Sequence, residues 1–142
     1  MSDLRLRVQA QFENITETLS RFPDHGRLNK LSILELAGVA ALLHNFYNGM
    51  ENILKQLIID QKLKIPTGQS WHRDLLELAL TKKIISNRTG KYLKQYLAFR
   101  HFFSHGYALD LDCQRLLPLV RSAGHVFDLF QKDVKRYLAK FQ

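Results

Sequence analysis

The stretch Ser32–Gln61, SILELAGVAALLHNFYNGMENILKQLIIDQ, decides the fold. Leu36, Val39, Leu43, Phe46, Met50, Ile53 and Leu57 follow one another in alternating steps of three and four. That is the spacing of a helix with a packed seam, since it returns each apolar side chain to one face. Leu34, Leu42, Tyr47, Leu54 and Ile58 widen the apolar face beyond a single seam. A helix of this kind packs on two sides, as a central bundle helix or a dimer interface requires.

Outward from this segment the same period recurs. Leu4, Val8, Phe12, Ile15, Leu19 and Phe22 form one stripe, which predicts a helix over Asp3–Arg21 that stops at Pro23-Asp24-His25-Gly26. Beyond Pro66-Thr67-Gly68, Ser70 is placed as the N-cap of a short helix, Trp71–Lys82. A fourth helix is expected over Asn87–Ser104, with Tyr92, Tyr96, Phe99 and Phe103 on one stripe and Gly106 as its stop. A fifth covers Asp112–Lys140, where Leu116, Val120, Ala123, Phe127, Phe130, Val134, Tyr137 and Phe141 alternate four and three. Pro118 near its start either bends it or marks its first turn. No stretch alternates in the manner of a half-buried strand. The expectation is an all-α, antiparallel bundle of four to five helices, one domain over residues 1–142, homodimeric.

Composition narrows the class of function. The 142 residues carry 21 Lys and Arg against 13 Asp and Glu, a formal net charge of +8. Such an excess favours a polyanionic partner, and RNA or a nucleotide is the expected one. The single cysteine, Cys113, excludes an intrachain disulfide and a Cys-rich zinc site. The start, Met1-Ser2-Asp3-Leu4-Arg5-Leu6-Arg7, is charged rather than apolar, and no run approaches the ~20 apolar residues of a membrane span. A cytoplasmic protein with no membrane partner is expected.

Chemistry concentrates in Arg100-His101-Phe102-Phe103-Ser104-His105-Gly106-Tyr107, which sets a guanidinium, two imidazoles, a hydroxyl and a phenol within eight residues. Cleaving RNA without a metal needs a base for the ribose 2′-OH, an acid for the leaving 5′-oxygen and a cation for the phosphate. Histidine suits both proton transfers near neutral pH. Arginine matches a phosphate with a forked pair of donors and is always charged. Along a continuous helix Arg100 and His105 would point about 140° apart, so they converge only if the helix ends near Ser104 or if two subunits face each other. His101 and His105, four apart, could also hold zinc, but the H-E-x-x-H glutamate and a third ligand are missing, and no metal site is expected. Residue by residue, a solvated arginine, surface histidines and a half-buried tyrosine explain the same stretch.

Taken together, the motif R-x4-H-x-Y of Arg100–Tyr107 resembles the signature of the HepT toxins of the HEPN superfamily. Three segments resemble the same proteins in the same order: Leu43–Leu54, Ser70–Leu76 and Tyr96–His105. The resemblance implies a metal-independent RNA endonuclease with no cofactor, working as a homodimer with its two motifs in one cleft and leaving 2′,3′-cyclic phosphate ends. Arg100 would hold the scissile phosphate, His105 would serve as acid or base, and His101 and Ser104 are candidate assisting groups. The implied partner is a minimal nucleotidyltransferase antitoxin that silences the toxin by moving AMP from ATP onto Tyr107. Transfer RNA is the implied kind of substrate. The alternative within the superfamily is a non-catalytic nucleotide-binding or adaptor module.

Overall fold

The computed structural model of the chain describes residues 2–104 and 111–141. Five α-helices follow in order: α1 Ser2–Ser20, α2 Ile33–Asp60, α3 Trp71–Thr81, α4 Asn87–Ser104 and α5 Cys113–Ala139, with a 3-10 turn at His25–Lys30. No strand occurs among the described residues. None of the described helices is long and apolar enough to cross a membrane. Each α-helix lies within one or two residues of its place in the sequence reading.

The centre of the bundle is α2, which packs against α1, α3, α4 and α5. All seven residues of its heptad seam are buried, and so are Ala40, Tyr47, Leu54 and Ile58. The two-sided helix expected from composition is thus a central one within this chain. Leu34, expected to widen the buried face, is instead 83% exposed, on a side of the first turn that no described helix covers. Phe46 sits at the middle of an edge-to-face aromatic cluster, its ring 5.3 Å from Tyr96, 6.2 Å from Phe22 and 6.4 Å from Phe127.

Local signals set where α2 begins. Ser32 Oγ accepts from the Glu35 backbone N–H at 3.1 Å, and Glu35 Oε1 accepts from the Ser32 N–H at 2.9 Å, a reciprocal capping box. These bonds favour the ionised carboxyl and hold Glu35 below its usual pKa. Ser32→Ala should therefore cost about 1 kcal/mol, read as a shifted urea midpoint with an unchanged slope.

Helix ends fall at less obvious residues. Lys62, at φ 59°, closes α2: its N–H bonds Ile59 O, and the Leu63 N–H bonds Ile58 O. Lys83, also at φ 59°, closes α3 with the same pair of bonds, to Leu80 O and Ala79 O. This left-handed stop is ordinarily a glycine position, and lysine is tolerated because the following residues, Leu63 and Ile84, pack against or within the core. Ser70, expected to cap α3 with its side chain, does not. Its backbone (φ −104°, ψ 23°) is not extended, and its Oγ instead donates to Asp74 Oδ2 at 3.0 Å. Pro118 neither starts nor stops a helix. It lies inside α5, whose true start is capped by Asp112 Oδ1 accepting from the Arg115 N–H at 3.0 Å.

Two further contacts position α4. At Gly90 an added Cβ would come within 2.5 Å of the Leu80 side chain, so glycine lets α4 approach the end of α3 closely. Buried Asp133 of α5 accepts from the backbone N–H (2.9 Å) and Oγ (3.1 Å) of Ser86, just ahead of α4. Further along, the Tyr96 hydroxyl donates to Leu119 O at 2.7 Å, and burial pushes its pKa up to about 12. The last described turns of α4, which carry the start of the motif from Arg100 to Ser104, therefore stand on a fixed base.

Candidate functional site

The aromatic-rich helix α4 is described as far as Ser104. Its final turns place Arg100, His101 and Ser104 on the wall of a groove of about 980 Å³ between α3 and α4. His72 and Arg73 of α3 and Lys94 of α4 line the same groove. Cations outnumber acids along it: Glu77 is on the wall too, and it pairs with Lys94 at 3.3 Å.

Arg100 is fixed from below. It is half-buried, and its Nε donates to Asn48 Oδ1 of α2 at 3.1 Å. A bond at Nε orients the guanidinium plane, and with it the fork that would meet a phosphate. Asn48 belongs to a polar stripe on an otherwise apolar helix: His44, Tyr47, Asn48 and Glu51 recur at three- and four-residue steps. The stripe turns toward α3 and α4. His44 sets its ring 5.5 Å from Phe103, the two planes tilted by 47°. Burial, and then the nearby charge of Arg100, lower the His44 pKa, so this imidazole stays neutral near pH 7. Its buried Nδ1 finds no hydrogen-bond partner among the described residues. The Tyr47 phenol is buried, and both burial and the adjacent Glu51 carboxylate raise its pKa, so it stays protonated. Glu51, 3% exposed, meets His72 Nδ1 at 2.7 Å.

Of the residues singled out in the sequence, Arg100, His101 and Ser104 come together in one groove. His105 and Tyr107, with the stop at Gly106, lie outside the described residues. Among the described residues no group of three or more His, Cys, Asp or Glu side chains gathers that could hold a metal. Sequence reasoning missed Glu51 and His72. The step of seven from His44 to Glu51 was the available signal for the first. For the second nothing short of tertiary structure brings residues 21 apart together.

Comparison with known proteins follows the same segments. A family model described as HepT-like protein matches residues 38–141, from the second turn of α2 to the end of α5. The chain belongs to the HepT-like family. The match takes in the whole polar stripe of α2, the groove and the R-x4-H-x-Y motif. No curated protein matches the chain. Among solved structures, the cytosolic protein of unknown function YutE from Bacillus subtilis shares the fold, with a TM-score of 0.75 at 18% identity over 96% of this chain and 91% of that one. That likeness speaks for the fold alone.

Proposed function

We propose that this HepT-like chain is the toxin of a toxin–antitoxin pair and a metal-independent RNA endonuclease acting as a homodimer in the cytoplasm. The observation that carries the reading is Arg100, oriented by Asn48 and set beside His101 and Ser104 in a cation-rich groove at the end of α4. In this mechanism Arg100 binds the scissile phosphate and stabilises the charge that builds on it in the transition state. A base takes the 2′-OH proton, the 2′-oxygen attacks phosphorus, and the P–O5′ bond breaks as an acid protonates the leaving oxygen. The products carry a 2′,3′-cyclic phosphate and a 5′-OH. His105, next along the motif from Ser104, supplies one of the two proton transfers. The second copy of the chain brings its own motif to the same cleft.

The substrate class is RNA, with transfer RNA the first to test, and the partner is a minimal nucleotidyltransferase antitoxin. AMP on Tyr107, two residues from His105, would bring a negative charge to a site built for phosphate and repel the RNA backbone. Expression of the chain should arrest growth, and co-expression of the nucleotidyltransferase should relieve the arrest. Tyr107→Phe should stay toxic in the presence of that partner, with no AMP-sized gain in intact mass. A mass gain that persists in the variant would remove Tyr107 from its role. Cells that grow normally on full expression of the unmodified chain would count against the toxin.

A further inference from the structure

The buried pair Glu51–His72 is not used by the motif chemistry, and it opens on the same groove. His72 Nδ1 lies 2.7 Å from Glu51 Oε2, and the two side chains are 20% and 4% exposed. A carboxylate buried that deeply fixes the tautomer, because it accepts the Nδ1 proton and leaves Nε2 with its lone pair. The ring is restrained a second time: it lies against Trp71, centroids 3.5 Å apart, and Lys55 Nζ covers the Trp71 ring at 4.2 Å. Nε2, the nitrogen not engaged by Glu51, is then the atom left to His72 for proton transfer at the groove it lines with Arg100. For stability alone, a buried polar pair of this kind is often matched or bettered by an apolar pair of the same volume. A restrained imidazole on the wall of a cationic cleft is, by contrast, what proton transfer beside a phosphate requires.

We propose that His72 is a catalytic residue of the nuclease site, with Glu51 as its positioning residue. This rests on the ribonuclease reading and deepens it. Neutral His72 takes the 2′-OH proton at Nε2 as the 2′-oxygen bonds to phosphorus. The P–O5′ bond breaks, and the 5′-oxygen receives a proton from the acid of the site, assigned to His105. His72 ends protonated and His105 neutral, and exchange with water restores both. The groups that face His72 are Glu51 and His44 from α2, Arg100, Lys94 and His101 from α4, and Arg73 and Glu77 on its own helix.

The test is the pH profile of RNA cleavage for the full chain, His72→Gln and Glu51→Gln, joined to nitrogen-15 spectra of the histidine rings with a nucleoside 3′-monophosphate added. That probe carries both the 2′-OH and a phosphate and cannot be cleaved. His72→Gln should lose about 10²–10⁴-fold in kcat, with the acidic limb of the profile abolished. Glu51→Gln should keep part of the activity and move that limb to lower pH, because the carboxylate that favoured protonation is gone. A role confined to structure would lower activity in both variants without moving the limb, and that result overturns the proposal. So does a folded His72→Gln that cleaves at the normal rate. Should the unmodified chain cleave no RNA, the nuclease reading fails first. The ring spectra still separate the cases: a shifted His72 Nε2 signal with the monophosphate supports a ligand-binding role for the residue, and an unmoved one removes it from the site.

Discussion

Arg100→Ala is expected to lower RNA cleavage by about 10²–10³-fold, the usual cost of deleting one preorganised donor to a charged transition state. The loss should fall on kcat at least as heavily as on KM, because the guanidinium serves the charge that develops rather than the ground state alone. Arg100→Lys separates charge from geometry. It keeps the positive charge but cannot form the fork, and it gives up the Nε bond to Asn48. It should therefore remain closer to the alanine variant than to the unmodified enzyme. Asn48→Ala, which leaves the arginine in place but unoriented, should give a smaller loss than either. Arg100→Ala should also raise the pKa of His44, since the charge of Arg100 is one cause of its depression. That shift can be followed by ring resonances and shows that the variant still folds. Cleavage by Arg100→Ala at the unmodified rate would remove the residue from the chemistry.

Phe46→Ala should be the most damaging substitution away from the groove, at about 3–5 kcal/mol. Phe46 is 0% exposed and touches aromatic partners from three other places in the chain: Phe22 after α1, Tyr96 on α4 and Phe127 on α5. Truncation leaves a cavity where α2 meets these neighbours, and no short side chain can collapse into it. With domain stabilities of ~5–15 kcal/mol, the loss takes a large part of the total. It should appear as a urea midpoint displaced to much lower concentration. Phe46→Leu, closer in volume, should lose distinctly less. If alanine cost no more than leucine, α2 would not be the central packing helix described here.

The fold was legible where it rests on period. The seam from Leu36 to Leu57 named a central helix, and every seam residue is buried. The span of α5 and the described span of α4 followed from the apolar repeat. Features set by a single backbone conformation were not legible. Lys62 and Lys83 hold left-handed positions where glycine is the ordinary signal, so the sequence placed both helix ends without showing the backbone turn that makes them. The 3-10 turn at His25–Lys30 is too short to show a period, although it buries Leu28. Ser70 carried the right side chain for a cap but the wrong backbone angles to use it.

The site divides in the same way. Arg100, His101 and Ser104 stand in one continuous segment, so helix geometry and the motif placed them together before the groove was seen. Asn48, Glu51 and His72 act across helices. Asn48 reaches Arg100 over 52 residues of chain and Glu51 reaches His72 over 21, distances at which local pattern carries no information. What the sequence did hold was an anomaly: four polar side chains on the buried face of its most apolar helix. Polar groups in such a place call for partners, and those of Asn48 and Glu51, Arg100 and His72, line the groove.

Purified protein incubated with total RNA in excess EDTA is the most direct measurement of the nuclease proposed here. Fragments ending in 2′,3′-cyclic phosphate should form at the same rate with the chelator as without it. RNA left intact, or cut only once Mg²⁺ is supplied, would contradict a site built from an arginine fork and imidazoles.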